Sequence, residues 1–554
     1  MVNEIKNQIN RNSKDLTIFH VSLSLGIIMI IGFIIRFYYL QDGIPLIADG
    51  LDYFTYAYKM AEIGNFPKDW ALSNNGWPAF VSIILSIINA DTFLENTVIQ
   101  RLTSMTISIL TAIPIFFLCN RFFNRTFSLI GVSIFIFEPR IILNSTMGLT
   151  EPIYILFLTL ILFFSFKDSK NATYISFFLA GIFAILRWEG LLLIFGLVTL
   201  FIFKNKHKKK DFKKLFLGIM LFLIIVIPIS YINLENTGKD GLISPLLMYG
   251  PGYIAFWMED DECPDGEKMQ PTEEGIACYP IDEYLQPVNS KDVFGLLLKN
   301  GIENTIKFFG WALIPSFIVF FPISIILIVK NGLIKNWNSD KTVIVVFAII
   351  LLIPALYAFS RNFNDLRYLY VIFPILSLVS LVFVRQIFDK HVQKKVIYVA
   401  IIIGLVIISL IFLEERITTN SQIEIERYEV SKFLVKNTDG VNLSSFTKYF
   451  KAAEIEYDWP NLPPPNVAGH MPLQTKKFVI DEDLTLEEFI KQNKEDGLTH
   501  LVVENMIDSK IFPEVYDNPK NYPFLEKIYD GKDSELISKV KIFRINYDIL
   551  DQQK

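Results

Sequence analysis

Cysteine and histidine are scarce in this chain, and charge is thin. There are three cysteines and five histidines in 554 residues, and charged residues make up 20%. The histidines (His20, His207, His391, His470 and His500) are scattered without ligand spacing, which excludes a histidine-built metal site. No internal repeat and no low-complexity tract is seen, which removes solenoids and the paired repeats common in transporters. There is no basic excess either, since 52 Lys/Arg face 57 Asp/Glu. Residues 414–554 hold 18 Lys/Arg against 26 Asp/Glu, so nucleic acid is excluded as a partner of that segment. No cleavable signal is expected, because Lys6, Arg11 and Lys14 precede the first apolar run and no small-residue cleavage site follows it.

Apolar length is abundant. Hydrophobic residues reach 52%, with 49 Phe and a mean hydropathy of +0.39. Runs of about 20 apolar residues match a bilayer core, so the fold class is a polytopic α-helical membrane protein of about 11 spans. The spans are expected near 18–39, 98–119, 126–141, 151–166, 172–187, 190–203, 215–234, 306–329, 343–359, 368–386 and 396–413. The connections at 120–126, 167–171, 204–214, 330–341 and 385–395 carry 18 Lys/Arg, which places them in the cytoplasm. By alternation the N-terminus is cytoplasmic. The loops 40–97, 138–151, 186–190, 235–305 and 360–367 lie outside, with the tail after 413. Trp77–Ala90 is short and is read as an interfacial or re-entrant helix opened by Gly76-Trp77-Pro78.

Two domains follow: 1–413, a multi-span domain with large outer loops at 40–97 and 235–305, and 414–554, a soluble outer-facing α/β domain. In the tail, Glu424–Lys436 and Leu484–Asn493 read as helices. Thr499–Val503 and Val540–Ile545 read as strands, and 458–465 as an irregular loop. Cys263 and Cys278 share an oxidising outer loop and are expected to pair, whereas Cys119 at a cytoplasmic span end is expected to be inert.

Charged residues at the outer span ends form the functional signal. Asp49 and Asp52 follow the first span among aromatic residues, in Asp49-Gly50-Leu51-Asp52-Tyr53-Phe54-Thr55-Tyr56-Ala57. Glu138, Arg140 and Glu151 flank the next outer turn. Arg187, Trp188 and Glu189 form a hairpin, and Arg361, Asp365 and Arg367 sit before the tenth span. Arg36 and Arg101 end spans on the same side. Arginine opposes the orientation rule there, and its planar fork suits phosphate. A lipid phosphate held by such arginines, beside a carboxylate acting as base, accounts for the set. Plainer roles stand beside these. Asp52 reads as a general base or as an N-cap of Tyr53–Ile63. Asp49 reads as an assistant, a metal ligand or a loop support. Glu151 before Pro152 is also an ordinary helix start, and Arg361 and Arg367 are also ordinary snorkelling anchors.

The ordered set of motifs resembles the GT-C superfamily of polyprenyl-phosphate-sugar-dependent glycosyltransferases over residues 1–413. It comprises Asp49–Ala57 with Gly64, Gly76-Trp77-Pro78, Arg101-Leu102, Thr150-Glu151-Pro152, Arg187-Trp188-Glu189-Gly190 and Arg367-Tyr368. The resemblance implies that Asp52 is the first-loop catalytic aspartate, that Glu151 is the acidic residue opening the fourth span, and that Arg367 contacts the lipid phosphate. Trp188 stands where the family hairpin commonly has proline. The chain also resembles oligosaccharyltransferase catalytic subunits and, more distantly, protein O-mannosyltransferases. The Trp-Trp-Asp-Tyr-Gly signature of the former is missing, which disfavours transfer to sequons, and Tyr53 follows Asp52 where the latter have glutamate.

The expected function is therefore an inverting glycosyltransferase of the cell membrane. It would move a sugar from a polyprenyl-(di)phosphate carrier to an outer lipid, glycan or protein. Asp52, Asp49 and Glu151 are the candidate catalytic residues, and Arg367, Arg361, Arg187, Glu189 and Arg101 the candidate substrate contacts. A divalent cation (Mg or Mn) on Asp49, Asp52 or Glu151 is a candidate cofactor. The alternative is a transporter or flippase of a lipid-linked sugar.

Overall fold

Apolar helices form most of the chain. The structure is a computed structural model. It describes residues 16–68, 70, 72, 74–88, 90–167, 169–204, 212–245, 267–272, 275–280, 290–330, 339–361, 365–390, 394–417, 421–442, 447–462, 475–478, 480, 484–505, 510–531 and 540–552. Among these, six helices are long and apolar enough to cross a membrane: Ile18–Tyr38, Phe93–Asn120, Phe212–Thr237, Asp340–Ser360, Leu366–Phe388 and Lys394–Ile417. Arg125–Ile136 and Pro139–Thr146 make a seventh if counted as one span bent by 54°. The protein is thus a multi-pass membrane protein of mostly helical structure.

The expected count of 11 spans is not what helix length gives, and the differences have local causes. The expected span 126–141 breaks at Glu138, whose side chain caps a new helix begun by Pro139. Glu151–Ser165 has 15 residues, about 22 Å at 1.5 Å per residue against a core of about 30 Å. The expected span 306–329 is divided between helices Ser290–Leu313 and Phe320–Lys330. The stretch after Gly76 forms a 12-residue apolar helix, Gly76–Ile87.

The described residues fall into two compact units. One comprises Met1–Leu40, Ala71–Phe80 and Arg101–Leu413; the other Gln41–Trp70, Val81–Gln100 and Glu414–Lys554. In the first unit, the guanidinium of Arg36 is fully buried. It donates to Ser145 Oγ (3.1 Å), Ser108 Oγ (3.1 Å), the Gly32 carbonyl (3.0 Å) and the Ile136 carbonyl (3.1 Å). This arginine ties helices together, as a buried charge must.

In the second unit a mixed sheet orders its strands as 476–478, 440–442, 500–505, 540–545 and 525–530, with 510–511 beside 500–505. Side chains alternate across it. Leu501, Val503, Phe543 and Ile545 face one core with Phe489, Ile490 and Leu550 from helices. Val502, Val540 and Ile542 face the other, with Val430, Leu434 and Phe450. Helix Leu486–Gln492 starts at a full capping box, Thr485 with Glu488. Helix Ala48–Ile63, from the segment after the first apolar helix, belongs to this unit. The expected tail elements appear as Ser421–Asn437, Leu486–Gln492, His500–Asn505 and Val540–Ile545. Cys263 lies outside the described residues, and so does the side chain of Cys278, although its backbone pairs with Met269 in a hairpin. Cys119 is free and buried.

Candidate active site

In the first unit the charged span ends converge on Arg187. Helix Lys170–Leu186 ends there, because Arg187 takes an extended backbone (φ −149°, ψ 130°) and a short 3-10 turn, Trp188–Leu191, follows. Gly190 is required in that turn: a Cβ on it would lie 2.8 Å from the Phe183 carbonyl oxygen. Arg187 Nη1 donates to Glu151 Oε1 at 2.9 Å and Nη2 to Glu189 Oε1 at 3.1 Å. Asn144 Nδ2 donates to the other oxygen of Glu151 at 3.3 Å. Side-chain exposure is 14% for Arg187 against 2% and 8% for Glu151 and Glu189. One guanidinium therefore compensates two buried carboxylates, a use of the planar fork that a point charge cannot copy.

Aromatic rings enclose this group. The Arg187 guanidinium carbon lies 5.3 Å from the Tyr368 ring centre and 5.8 Å from that of Tyr154. Tyr154 stacks on Phe183 at 3.8 Å. These residues line a small pocket whose apolar walls are Leu193, Ile350, Leu351, Pro354 and Val371. Arg367 enters it from the 3-10 helix Leu366–Ile372, which Asp365 caps by accepting the Arg367 backbone N–H. The same carboxylate accepts Arg367 Nε at 2.6 Å. Arg361 lies over the Tyr357 ring at 4.3 Å.

The segment 74–77 braces both halves of this cluster. Asn74 Oδ1 accepts the Trp188 backbone N–H at 2.9 Å. A Cβ on Gly76 would lie 2.6 Å from the Ile185 carbonyl oxygen. The buried indole of Trp77 donates to the Gly148 carbonyl at 3.0 Å, three residues before Glu151.

In the second unit Asp52 sits in the second turn of helix Ala48–Ile63, which starts too early for Asp52 to cap it. The capping alternative is thereby corrected: no side chain caps this helix, and its first turn instead carries exposed Asp49. Asp49 and Asp52 are three residues apart and share a helix face. Asp52 forms an ion pair with Lys451 of helix Thr447–Asp458. Farther along, Trp459 packs on Tyr58 (4.3 Å), Phe93 (5.6 Å) and Phe54 (6.1 Å), and its indole N–H donates to the Asp91 carbonyl at 3.2 Å. These contacts fix the helix that carries Asp52.

Of the residues singled out in the sequence, Glu151, Arg187, Glu189 and Arg367 therefore come together. Arg101 is buried on helix Phe93–Leu110 and does not line the pocket. Sequence reasoning missed Tyr154, Asn144 and Lys451, and named Tyr368 only within the Arg367-Tyr368 motif. Tyr154 was readable only as a span-end aromatic, and Lys451 as one more charge on a helix. Among the described residues no group of three or more His, Cys, Asp or Glu side chains is arranged to hold a metal ion. Glu151 and Asp52 each already meet a cationic side chain.

No protein-family model matches the sequence, and no curated protein matches it. Solved structures do match in shape. The oligosaccharyltransferase of Archaeoglobus fulgidus, in complex with Zn and sulfate, aligns over 93% of this chain and 72% of its own, with a TM-score of 0.52 at 10% identity. ArnT from Cupriavidus metallidurans bound to undecaprenyl phosphate aligns over 96% and 98%, with a TM-score of 0.50 at 9% identity. The archaeal oligosaccharyltransferase AglB from Archaeoglobus fulgidus, with an inhibitory peptide and a dolichol-phosphate, aligns over 92% and 73%, with a TM-score of 0.50 at 10% identity. Identities this low speak for the fold alone. The chain is distantly similar in fold to the GT-C glycosyltransferases.

Proposed function

We propose that this protein is an integral membrane glycosyltransferase that moves a sugar from a polyprenyl-phosphate or polyprenyl-diphosphate carrier to an outer-facing lipid, glycan or protein. The observation that carries the reading is the pocket of the first unit, where Arg187 and Arg367 meet aromatic and apolar walls. Guanidinium groups suit a phosphate, rings suit a sugar face, and apolar walls suit a prenyl chain. In the proposed reaction the acceptor oxygen or nitrogen attacks the anomeric carbon in line with the leaving phosphate. The new bond to the acceptor forms as the carbon–oxygen bond to phosphate breaks, with inversion. Asp52 takes the acceptor proton, and the lipid phosphate leaves with the electron pair. Arg367 and Arg187 stabilise the charge that develops on it. Asp49 assists on the helix face of Asp52. Glu151 and Glu189 act by holding Arg187, and Arg361 supports the phosphate region.

The proposed orientation keeps the N-terminus in the cytoplasm and residues 414–554 outside, in line with the basic loops. Asp49 and Asp52 offer two carboxylates, one already paired with Lys451, which is a partial donor set for Mg²⁺ or Mn²⁺.

The test compares Asp52→Asn with the parent protein in membrane vesicles supplied with radiolabelled polyprenyl-phospho-sugar. Transfer should fall by about 10²–10⁴-fold with the fold retained, the usual contribution of a general base. Undiminished transfer removes Asp52 from the mechanism. Carrier movement across the vesicle without transfer supports the transporter reading instead.

A further inference from the structure

Lys451 reaches Asp52 from 399 residues away in sequence. Its Nζ donates to Asp52 Oδ1, and among the described residues each of these two side chains has the other as its polar partner. Side-chain exposure is 20% for Asp52 and 23% for Lys451, so the pair is largely enclosed yet still reachable. We propose that Lys451 is a positioning residue for sugar transfer. It holds one oxygen of the Asp52 carboxylate so that the other is presented to the acceptor. This rests on the reading of Asp52 as the base.

Both ends of the contact are rooted in the second unit. Leu51 and Phe54 are buried beside Asp52 on helix Ala48–Ile63, and Phe450 and Ala453 beside Lys451 on helix Thr447–Asp458. Phe450 packs with Val502 and Ile542 of the sheet, which fixes the base of the lysine side chain. The two helices are also joined farther along, where Trp459 packs on Phe54 and Tyr58. That aromatic contact supplies attachment without the ion pair. A partly exposed ion pair adds little to stability, so what this one fixes is the direction of a carboxylate. Direction matters to a base, which must place an oxygen within hydrogen-bond reach of the proton that it takes. With Nζ on Oδ1, Oδ2 is left for the acceptor. In the proposed step the acceptor proton passes to Oδ2 as the acceptor bonds to the anomeric carbon. Lys451 keeps its own protons and its hold on Oδ1.

The experiment is a double-mutant cycle on the full-length protein in membrane vesicles supplied with radiolabelled polyprenyl-phospho-sugar. Lys451→Met keeps the apolar stem and removes the ammonium. It should lower the plateau transfer rate by about 10²-fold, the scale of a misplaced reacting group, with the KM for the carrier and the melting temperature unchanged. Lys451→Arg, which returns the cation, should recover most of the rate. In the Asp52→Asn background Lys451→Met should cost nothing further, because a residue that acts through Asp52 has nothing left to act on. Additive losses overturn the proposal and leave Asp52 standing as the base. Parental transfer by Lys451→Met, or a loss that Lys451→Arg does not repair, does the same. Undiminished transfer by Asp52→Asn alone overturns the reading of Asp52 and the proposal with it. Should Lys451→Met fail to fold, Lys451→Gln, a neutral side chain that still donates, takes its place in the cycle.

Discussion

The guanidinium of Arg187 bridges two carboxylates, and a side chain without its fork leaves one of them bare. Arg187→Ala should destabilise the protein by about 3–5 kcal/mol, the cost of uncompensated buried charge. The triple variant Arg187→Ala with Glu151→Gln and Glu189→Gln should regain most of that stability without regaining sugar transfer. Thermal unfolding in detergent, set against vesicle transfer, checks both halves. A stable Arg187→Ala single variant would show that the carboxylates do not depend on it. At this scale the sequence was legible where a residue was out of place: a glutamate before a long apolar run and an arginine at the end of another are costly unless used. Lys451 gave no such signal, because a lysine on a helix of an acidic, soluble segment is ordinary. Its importance comes from Asp52, 399 residues away in sequence.

Helices and turns determine how firmly those side chains are held. The segment 74–77 touches the chain near Glu151 through Trp77 and near Arg187 through Asn74 and Gly76. Gly76→Ala should cost about 1–3 kcal/mol by overpacking against the Ile185 carbonyl. Trp77→Phe should cost about 1 kcal/mol through loss of the indole hydrogen bond to the Gly148 carbonyl. Melting temperatures test both, and unchanged values would deny the segment its bracing role. Apolar run length located most of the spans, but it could not show the break at Glu138-Pro139 or the shortness of Glu151–Ser165, since both depend on capping and packing. The three-residue strands 440–442 and 476–478 are too short to show alternation, so they were not legible.

The sheet also carries a pH prediction. His500 is buried, and burial together with the charge of Arg544 holds its imidazole below the ordinary 6.5, with Asp439 opposing. The unfolded chain therefore takes up a proton near pH 6.5 that the folded chain refuses, and stability falls as pH drops below about 6.5. His500→Gln should flatten the melting temperature between about pH 7 and pH 5.5. Glu424 acts lower on the scale. Burial raises its carboxyl, but hydrogen bonds from Lys448 and Tyr449 and the charges of Lys448 and Arg427 outweigh that and leave it below the ordinary 4.5. Its contribution is present above about pH 4.5 and is lost as pH falls through the lowered value, so the two windows separate.

For the molecule as a whole, the helical membrane class was readable from hydropathy, because a bilayer admits few architectures for such a chain. The charge bias predicts that residues 52 and 367 face the same side of the membrane. Single engineered cysteines at these positions, labelled from outside by an impermeant maleimide, should react alike. Opposite accessibility would defeat the shared chemistry proposed for Asp52 and Arg367.

The pairing of Asp52 with Lys451 has a consequence for biogenesis. At ribosomal speeds of about 5–20 residues per second, the aspartate's helix emerges roughly 20–80 seconds before its lysine partner is synthesised. The proposed base thus waits without that partner through insertion of the intervening helices. On the proposed mechanism, activity should appear only after residue 451 has been synthesised.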